Sequence, residues 1–173
     1  TAGAPMQGFA LKPMKKVRVA LVGVGSRGTW ALHRISMIPG NEITCVCDLF
    51  QDRVDAQIDW LKKNGKPVPA GFAGPEAYRR VCERDDVDVI YSVTSWNMHA
   101  PIAICAMEHG KVALTEVPGC LTIDECWQLV ETSERTRMPC MMLENCCYGE
   151  EEMLCFNLVK QGLLGQIVHG EAG

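Results

Sequence analysis

The chain has 173 residues, enough for one ordinary domain and part of a second. Its 47% hydrophobic and 22% charged content are those of a globular protein able to bury a core. Seventeen Lys and Arg against 21 Asp and Glu leave a net charge of −4, well mixed along the chain, so no basic patch for nucleic acid and no polybasic membrane anchor is present. No apolar stretch reaches the roughly 18–20 residues that span a bilayer.

Residues 1–16 lack an initiator Met and any periodic pattern, and read as a leader or linker. They fit the remainder of a removed export signal, which points to the periplasm or exterior, or an artefact of cloning. Abundant thiols point instead to the cytoplasm.

The first element is an apolar strand, 17–22, running into Gly23-Val-Gly25-Ser26-Arg27-Gly28. A helix over 27–37 follows and stops at Pro39-Gly40. The second strand, 43–47, ends in Asp48, 20 positions after the last glycine. Strand, glycine triplet, helix and spaced acid together form a dinucleotide-binding fingerprint. Gly23 permits the tight turn, Gly25 lets backbone approach a pyrophosphate, and Gly28 lets helix and strand pack closely. Ser26 and Arg27 belong to the same phosphate turn, where unpaired N–H groups and the helix dipole favour an anion. Asp48 is placed to accept from both hydroxyls of an adenosine ribose. A 2′-phosphate there would meet like charge, which favours NAD over NADP.

A second helix is predicted over 52–63, ending at Asn64-Gly65. The Pro- and Gly-rich segment 64–75 reads as loop with room for one short strand. Then come a short helix (76–83), a strand (87–93), a helix (101–109), a strand (111–115), an amphipathic helix (122–136) and a strand (140–143). Thr122 and Glu125 have the spacing of a capping box. Strands alternating with helices in this way predict an α/β, doubly wound parallel Rossmann sheet, with the ligand crevice at the strand ends. After residue 143 the pattern shifts to a helix over 150–161 and the start of a strand over 166–173. This predicts a dinucleotide domain over 17–143 and the incomplete beginning of an α/β substrate domain over 144–173, as in a truncated chain or the ordered part of a longer one.

Ten cysteines, at 45, 47, 82, 105, 120, 126, 140, 146, 147 and 155, include no Cys-x-x-Cys pair, and His33, His99, His109 and His169 are scattered. No metal site is expected, and the cysteines read as buried free thiols. The adjacent pair Cys146-Cys147 reads as packing.

Three strand-end loops carry candidate chemistry. In 94–101, Thr94, Ser95, Asn97 and His99 supply hydrogen-bond groups, Trp96 a flat face for an adenine or nicotinamide ring, and Met98 lies between them. Turn residues at Thr94 or Ser95 and a buried wedge at Trp96 are the alternatives. His99 is assigned to the cofactor edge, with a core or capping role as the alternative. In 115–119, Glu116 ends a buried strand, where an unpaired carboxylate is costly. It is read as meeting a ribose hydroxyl, with a salt-bridged or capping acid as the alternative. In 141–149, Asn145 is a candidate partner for a nicotinamide amide or its ribose, and Tyr148 for a substrate.

The glycine triplet with Asp48, Trp96-Asn-Met-His99, Glu116-Val117-Pro118 and a strand leading to Asn145 resemble the glucose–fructose oxidoreductase/inositol dehydrogenase/rhizopine catabolism (Gfo/Idh/MocA) superfamily over residues 15–173. The resemblance implies an N-terminal Rossmann domain, bound NAD contacted by these residues including Val117, and a C-terminal α/β domain that holds a sugar-like substrate. Sugar dehydrogenases of the superfamily usually carry Glu-Lys-Pro, whose lysine assists proton transfer; Val117 replaces it here. Glu-Val-Pro, Glu125-Cys-Trp127 and above all Met141-Met-Leu-Glu-Asn-Cys-Cys-Tyr148 are similar to glycoside hydrolase family 109, the NAD-dependent α-N-acetylgalactosaminidases. This likeness implies hydrolysis of terminal α-N-acetylgalactosamine by oxidation at C3, elimination, water addition and reduction, the NAD-dependent exception to two-carboxylate glycosidases. Catalytic acid and base groups are then expected beyond Gly173, the fragment alone is expected to be inactive, and any homo-oligomer is expected to form through the missing second domain. An NAD-dependent sugar or polyol dehydrogenase and a non-catalytic NAD-binding protein are the alternatives.

Overall fold

The computed structural model describes residue 6 and residues 8–171. Two compact units divide the chain, residues 1–142 and 143–173. Of the predicted 1–16 leader, residues 1–5 and 7 lie outside the described residues, and the others precede the first strand.

In the first unit the apolar runs form six strands: β1 (Val17–Val22), β2 (Asn41–Asp48), β3 (Ala70–Ala73), β4 (Val89–Ser92), β5 (Val112–Thr115) and β6 (Cys140–Met142). They pair in the order β3-β2-β1-β4-β5-β6, and every pairing is parallel. Parallel neighbours need crossovers, which the helices α1 (Ser26–Ser36), α2 (Gln51–Lys63), α3 (Ala77–Cys82), α4 (Trp96–Glu108) and α5 (Ile123–Thr136) supply. The α/β doubly wound sheet read from the sequence is therefore the observed fold. Its order reverses between β1 and β4, and at that switch point the strand ends open a crevice.

Helices on both faces explain why the central strands are apolar at consecutive positions rather than alternate ones. Ala20, Leu21, Cys45 and Val46 are all fully buried. One face packs Ala20, Val22, Cys45 and Cys47 against Tyr78, Val81, Ile102, Ala106 and Met107. On the opposite face Leu32 of α1 and Val54 and Leu61 of α2 are buried.

Two polar features mark β1 and its neighbours. The register between β1 and β2 slips after Val19, which pairs with Ile43, while Ala20 pairs with Cys45. Thr44 is the extra residue of this bulge, and its hydroxyl is buried with no hydrogen-bond partner. At the start of β4, Asp88 accepts from the Arg18 N–H and Nε at 2.9 Å each and from its Nη2 at 2.6 Å, which ties β4 to β1. The hydrogen bond from the Arg18 guanidinium holds the Asp88 carboxyl below the usual carboxylate range, against the opposing effect of partial burial.

Several expectations need correction. α4 begins at Trp96, five residues before the predicted start at Pro101. Proline is favoured in a first helical turn, but here the chain enters the helix earlier and Pro101 sits inside it, removing the N–H that would have met the Asn97 carbonyl. The predicted strand over 166–173 does not form among the described residues, where no neighbouring strand offers a ladder. The cysteines are free, but only Cys45, Cys47, Cys82 and Cys105 are buried; Cys120 and Cys140 are partly exposed, and Cys126, Cys146, Cys147 and Cys155 are exposed. Local apolar neighbours do not ensure burial when the element lies at the sheet margin or on an outer helix.

The second unit holds a 3-10 turn (Cys146–Tyr148) and α6 (Glu150–Lys160). Three glutamates in the first turn and Lys160 in the last complement the dipole of α6. No helix among the described residues is long and apolar enough to cross a membrane.

Replacing the unsatisfied hydroxyl in Thr44→Val is expected to raise stability by about 1 kcal/mol, read from urea unfolding. The Asp88 carboxyl has a lower pKa folded than unfolded, so its contribution is full above about pH 5 and is lost as pH falls through the folded pKa. Asp88→Asn is expected to lower stability at pH 7 and to flatten the decline of the urea midpoint as pH falls.

Candidate functional site

β1 ends in a turn whose shape depends on the absence of side chains. Gly23 has φ +91°, and a Cβ there would lie 2.4 Å from the Val93 carbonyl oxygen. A Cβ on Gly28 would lie 1.9 Å from the Gly23 carbonyl oxygen, so α1 rests directly on the turn. At Gly25 the nearest atom to an added Cβ is Arg53 Nη1, at 3.5 Å. That backbone faces space, as a pyrophosphate needs. Gly25 caps α1 with no side-chain hydrogen bond, and no acid occupies the first turn. The leading N–H groups of α1 therefore keep their capacity for an anion. Ser26 and Arg27 are exposed on this first turn.

Asp48 is buried at the end of β2. Its Oδ2 accepts the Val24 N–H at 2.7 Å and its Oδ1 the Phe50 N–H at 3.1 Å. Arg53 Nη1 stands 3.6 Å from Oδ1, and its guanidinium lies over the Phe50 ring, 4.7 Å from the centroid. A carboxylate has about four acceptor positions, so capacity for ribose hydroxyls remains. These groups border a cavity of about 480 Å³ whose lining includes Gly23, Gly25, Asp48, Arg53, Thr94 and Met98. Its size and mixed lining are those of a small-molecule site.

The residues of the other two loops are placed differently from the expectation. Trp96, Asn97, Met98 and His99 form the first turn of α4 rather than a loop. Trp96 and Asn97 are exposed, and Met98 packs against the core while bordering the cavity. His99 is buried, with Nδ1 2.6 Å from the Pro118 carbonyl oxygen and Nε2 3.2 Å from that of Thr94. The ring lies between the carbonyls of two strand-end loops, either of which one ring N–H can meet, and this is the arrangement of the core alternative. Glu116 is likewise already engaged. Tyr91 donates its hydroxyl to Oε1, and Arg27 Nη2 lies 3.2 Å from Oε2. Burial, with the Glu116 carboxylate adding to it, pushes the Tyr91 phenol up. The hydrogen bond to the carboxylate in turn raises the Arg27 guanidinium above its ordinary value. Helix α1 is thus joined to the exit of β5 by an ion pair, as in the salt-bridged alternative, and the carboxylate retains acceptor positions toward the ligand edge. Val117 is exposed. Asn145 and Tyr148 belong to the second unit, where they open and close the 3-10 turn and both are exposed, as is the Cys146-Cys147 pair expected to pack.

Sequence reasoning passed over Arg53 and a polar chain behind the turn. Thr29 donates its hydroxyl to the Val24 carbonyl (3.0 Å) and accepts from Gln57 Nε2 (3.0 Å). Gln57 Oε1 meets His33 Nε2 at 3.2 Å, and the His33 ring stacks on Trp60 with centroids 3.6 Å apart. The helical spacing of Arg53, Gln57 and Trp60 carried this signal, since it brings α2 residues toward the end of β2 and the flank of α1.

Residues 17–143 match the family described as GFO_IDH_MocA, an oxidoreductase family with an NAD-binding Rossmann fold. The chain belongs to this family. Among solved structures, the Gfo/Idh/MocA chain resembles apo scyllo-inositol dehydrogenase from Lactobacillus casei, with TM-score 0.75 and 21% identity over 88% of this chain and 44% of that one. The form of that enzyme with bound NAD(H) and scyllo-inositol gives TM-score 0.74 at 19% identity, covering 88% and 43%. Those likenesses establish the fold. Among curated relatives, an α-N-acetylgalactosaminidase from Bacteroides fragilis is 43% identical over 95% of this chain and 39% of its own length. One of the same name from Shewanella oneidensis is 42% identical over 99% and 38%. The chain thus spans under two fifths of the length of these relatives.

The cavity fits the family's cofactor. The bare Gly25 backbone, the uncapped α1 N-terminus and the Asp48 carboxylate present what a pyrophosphate and a ribose diol require, and NAD is the cofactor of this fold. Gly28→Ala must push α1 off the Gly23 carbonyl, and is expected to lower stability by about 1–3 kcal/mol and to abolish NAD binding in a fluorescence titration.

Proposed function

We propose that the full-length protein hydrolyses glycosides of terminal α-N-acetylgalactosamine, with NAD as a resident cofactor in the cavity at the ends of β1 and β2. The observation that carries this reading is the 42–43% identity, over nearly the whole chain, to relatives named α-N-acetylgalactosaminidase. Membership of glycoside hydrolase family 109 is the finer assignment it supports. When bound, NAD supplies a reversible hydride acceptor for C3 of the sugar, which acidifies the C2 hydrogen and allows the C1 substituent to leave.

This chain's residues do the holding. The Gly23–Gly28 turn and the α1 N-terminus take the pyrophosphate charge, and Asp48 accepts from the ribose hydroxyls. Arg27 is steadied by Glu116, 3.2 Å away. Val117 can neither donate nor accept a proton, so it cannot serve the net oxidation of a free sugar as a lysine would. The groups that move protons at the sugar are assigned to the chain beyond Gly173.

Full-length protein with a chromogenic α-N-acetylgalactosaminide is expected to release the aglycone with no net accumulation of NADH, and to lose turnover after borohydride treatment. Net NADH formation from a free sugar or polyol, without glycoside cleavage, would instead establish a dehydrogenase. Tight NAD binding with neither activity would leave a binding protein.

A further inference from the structure

Cys120 and Cys126 stand apart from the cofactor cavity, and their Sγ atoms are 3.0 Å apart. The order around them comes from the start of α5. Glu125 Oε2 accepts the Leu121 N–H at 2.7 Å and the Thr122 N–H at 3.1 Å, while Thr122 Oγ1 accepts the Glu125 N–H at 3.1 Å. This capping box folds the Cys120–Thr122 segment over the first turn of the helix. A cysteine placed before the box is thereby set against one placed just after it. Cys126 is exposed and Cys120 partly so, which sets the pair apart from the four buried thiols.

We propose that Cys120 and Cys126 form a reversible thiol–disulfide site whose reaction partner is a small dialkyl disulfide of the glutathione type. A disulfide bond is about 2.05 Å long, so closure requires the sulfurs to approach by roughly 1 Å. Most of the entropy of bringing the two residues together is already lost to the capping box. Cys126 is the more exposed sulfur and is therefore the one an incoming disulfide meets, while the hydrogen bond to Cys126, with some burial, pushes the Cys120 thiol up to about 11.

The exchange balances in two steps. Cys126, as thiolate, attacks one sulfur of the small disulfide; the S–S bond breaks, and one small thiolate leaves and takes up the proton lost from Cys126. Cys120 then attacks Cys126 Sγ in the mixed disulfide, forming the Cys120–Cys126 bond and expelling the second small thiolate, which takes the proton from Cys120. Two protein thiols are oxidised by two electrons, and one small disulfide is reduced to two thiols. Excess reduced thiol drives the same steps backwards.

Both cysteines lie in one tryptic peptide, Val112–Arg135, which contains no other cysteine. The test incubates the full chain over a series of oxidised-to-reduced glutathione ratios, quenches with acid, alkylates with N-ethylmaleimide and measures this peptide by mass spectrometry. The expected product is an unalkylated peptide lighter by two hydrogens, formed as oxidant rises and lost on adding excess reduced glutathione. Cys120→Ser is expected to stop at the glutathione adduct on Cys126, and Thr122→Ala to shift closure to a more oxidising ratio by loosening the box. Full double alkylation at every ratio at which the exposed Cys155 becomes glutathionylated would overturn the proposal. So would a persistent adduct on Cys126 in the unsubstituted protein, or a Cys120 or Cys126 bridge to another cysteine.

Discussion

The buried carboxylate of Asp48 draws the Val24 N–H from the exit of β1 and the Phe50 N–H from the entry to α2 onto one side chain. A carboxylate out of water must be matched by donors, and backbone N–H groups in a turn need acceptors. Each requirement meets the other here. The same grip holds the glycine turn in the form that lets α1 settle on the Gly23 carbonyl, and it presents the acid to the cavity. The cofactor edge is a by-product of satisfying a buried charge with local backbone.

Ion pairs join neighbouring elements at both edges of the sheet. Arg53 stands beside Asp48, Arg27 beside Glu116, and Arg18 holds Asp88. Two of these acids, Asp48 and Glu116, end strands on the ligand edge, where an unaccompanied negative charge would oppose a pyrophosphate. Neighbouring guanidiniums offset that repulsion while leaving α1 with no acid in its first turn. His99 stands at the same edge with its two ring nitrogens facing the Thr94 and Pro118 carbonyls.

The architecture was largely legible in the sequence because its signals are local. A strand, three glycines and an acid, repeated apolar runs and the Thr122–Glu125 box each follow from chain geometry within a few residues. The particular partners of His99, Glu116 and Arg27 are not legible in the sequence, since each is brought from another element by the fold. Sequence position puts these residues at the strand-end edge, and it cannot say which protein groups they meet there. The start of α4 is displaced for a related reason: Pro101 reads locally as a first-turn residue, yet the helix enters at Trp96, after Ser95 in extended backbone. Asn145 and Tyr148 fall in a separate unit, whose packing no pattern in residues 143–173 specifies.

The bulge at Thr44 bears on how the fingerprint should be measured. Val22 pairs with Cys47, and the Gly23 N–H donates to the Cys47 carbonyl, so Asp48 stands opposite the glycine turn by virtue of strand register. Thr44 adds a residue to β2 without advancing that register. The span from Gly28 to Asp48 is therefore one residue longer along the chain than the ladder demands. What places the acid is the alignment of the two strand ends, and the residue count between glycine and acid includes the slack the bulge absorbs.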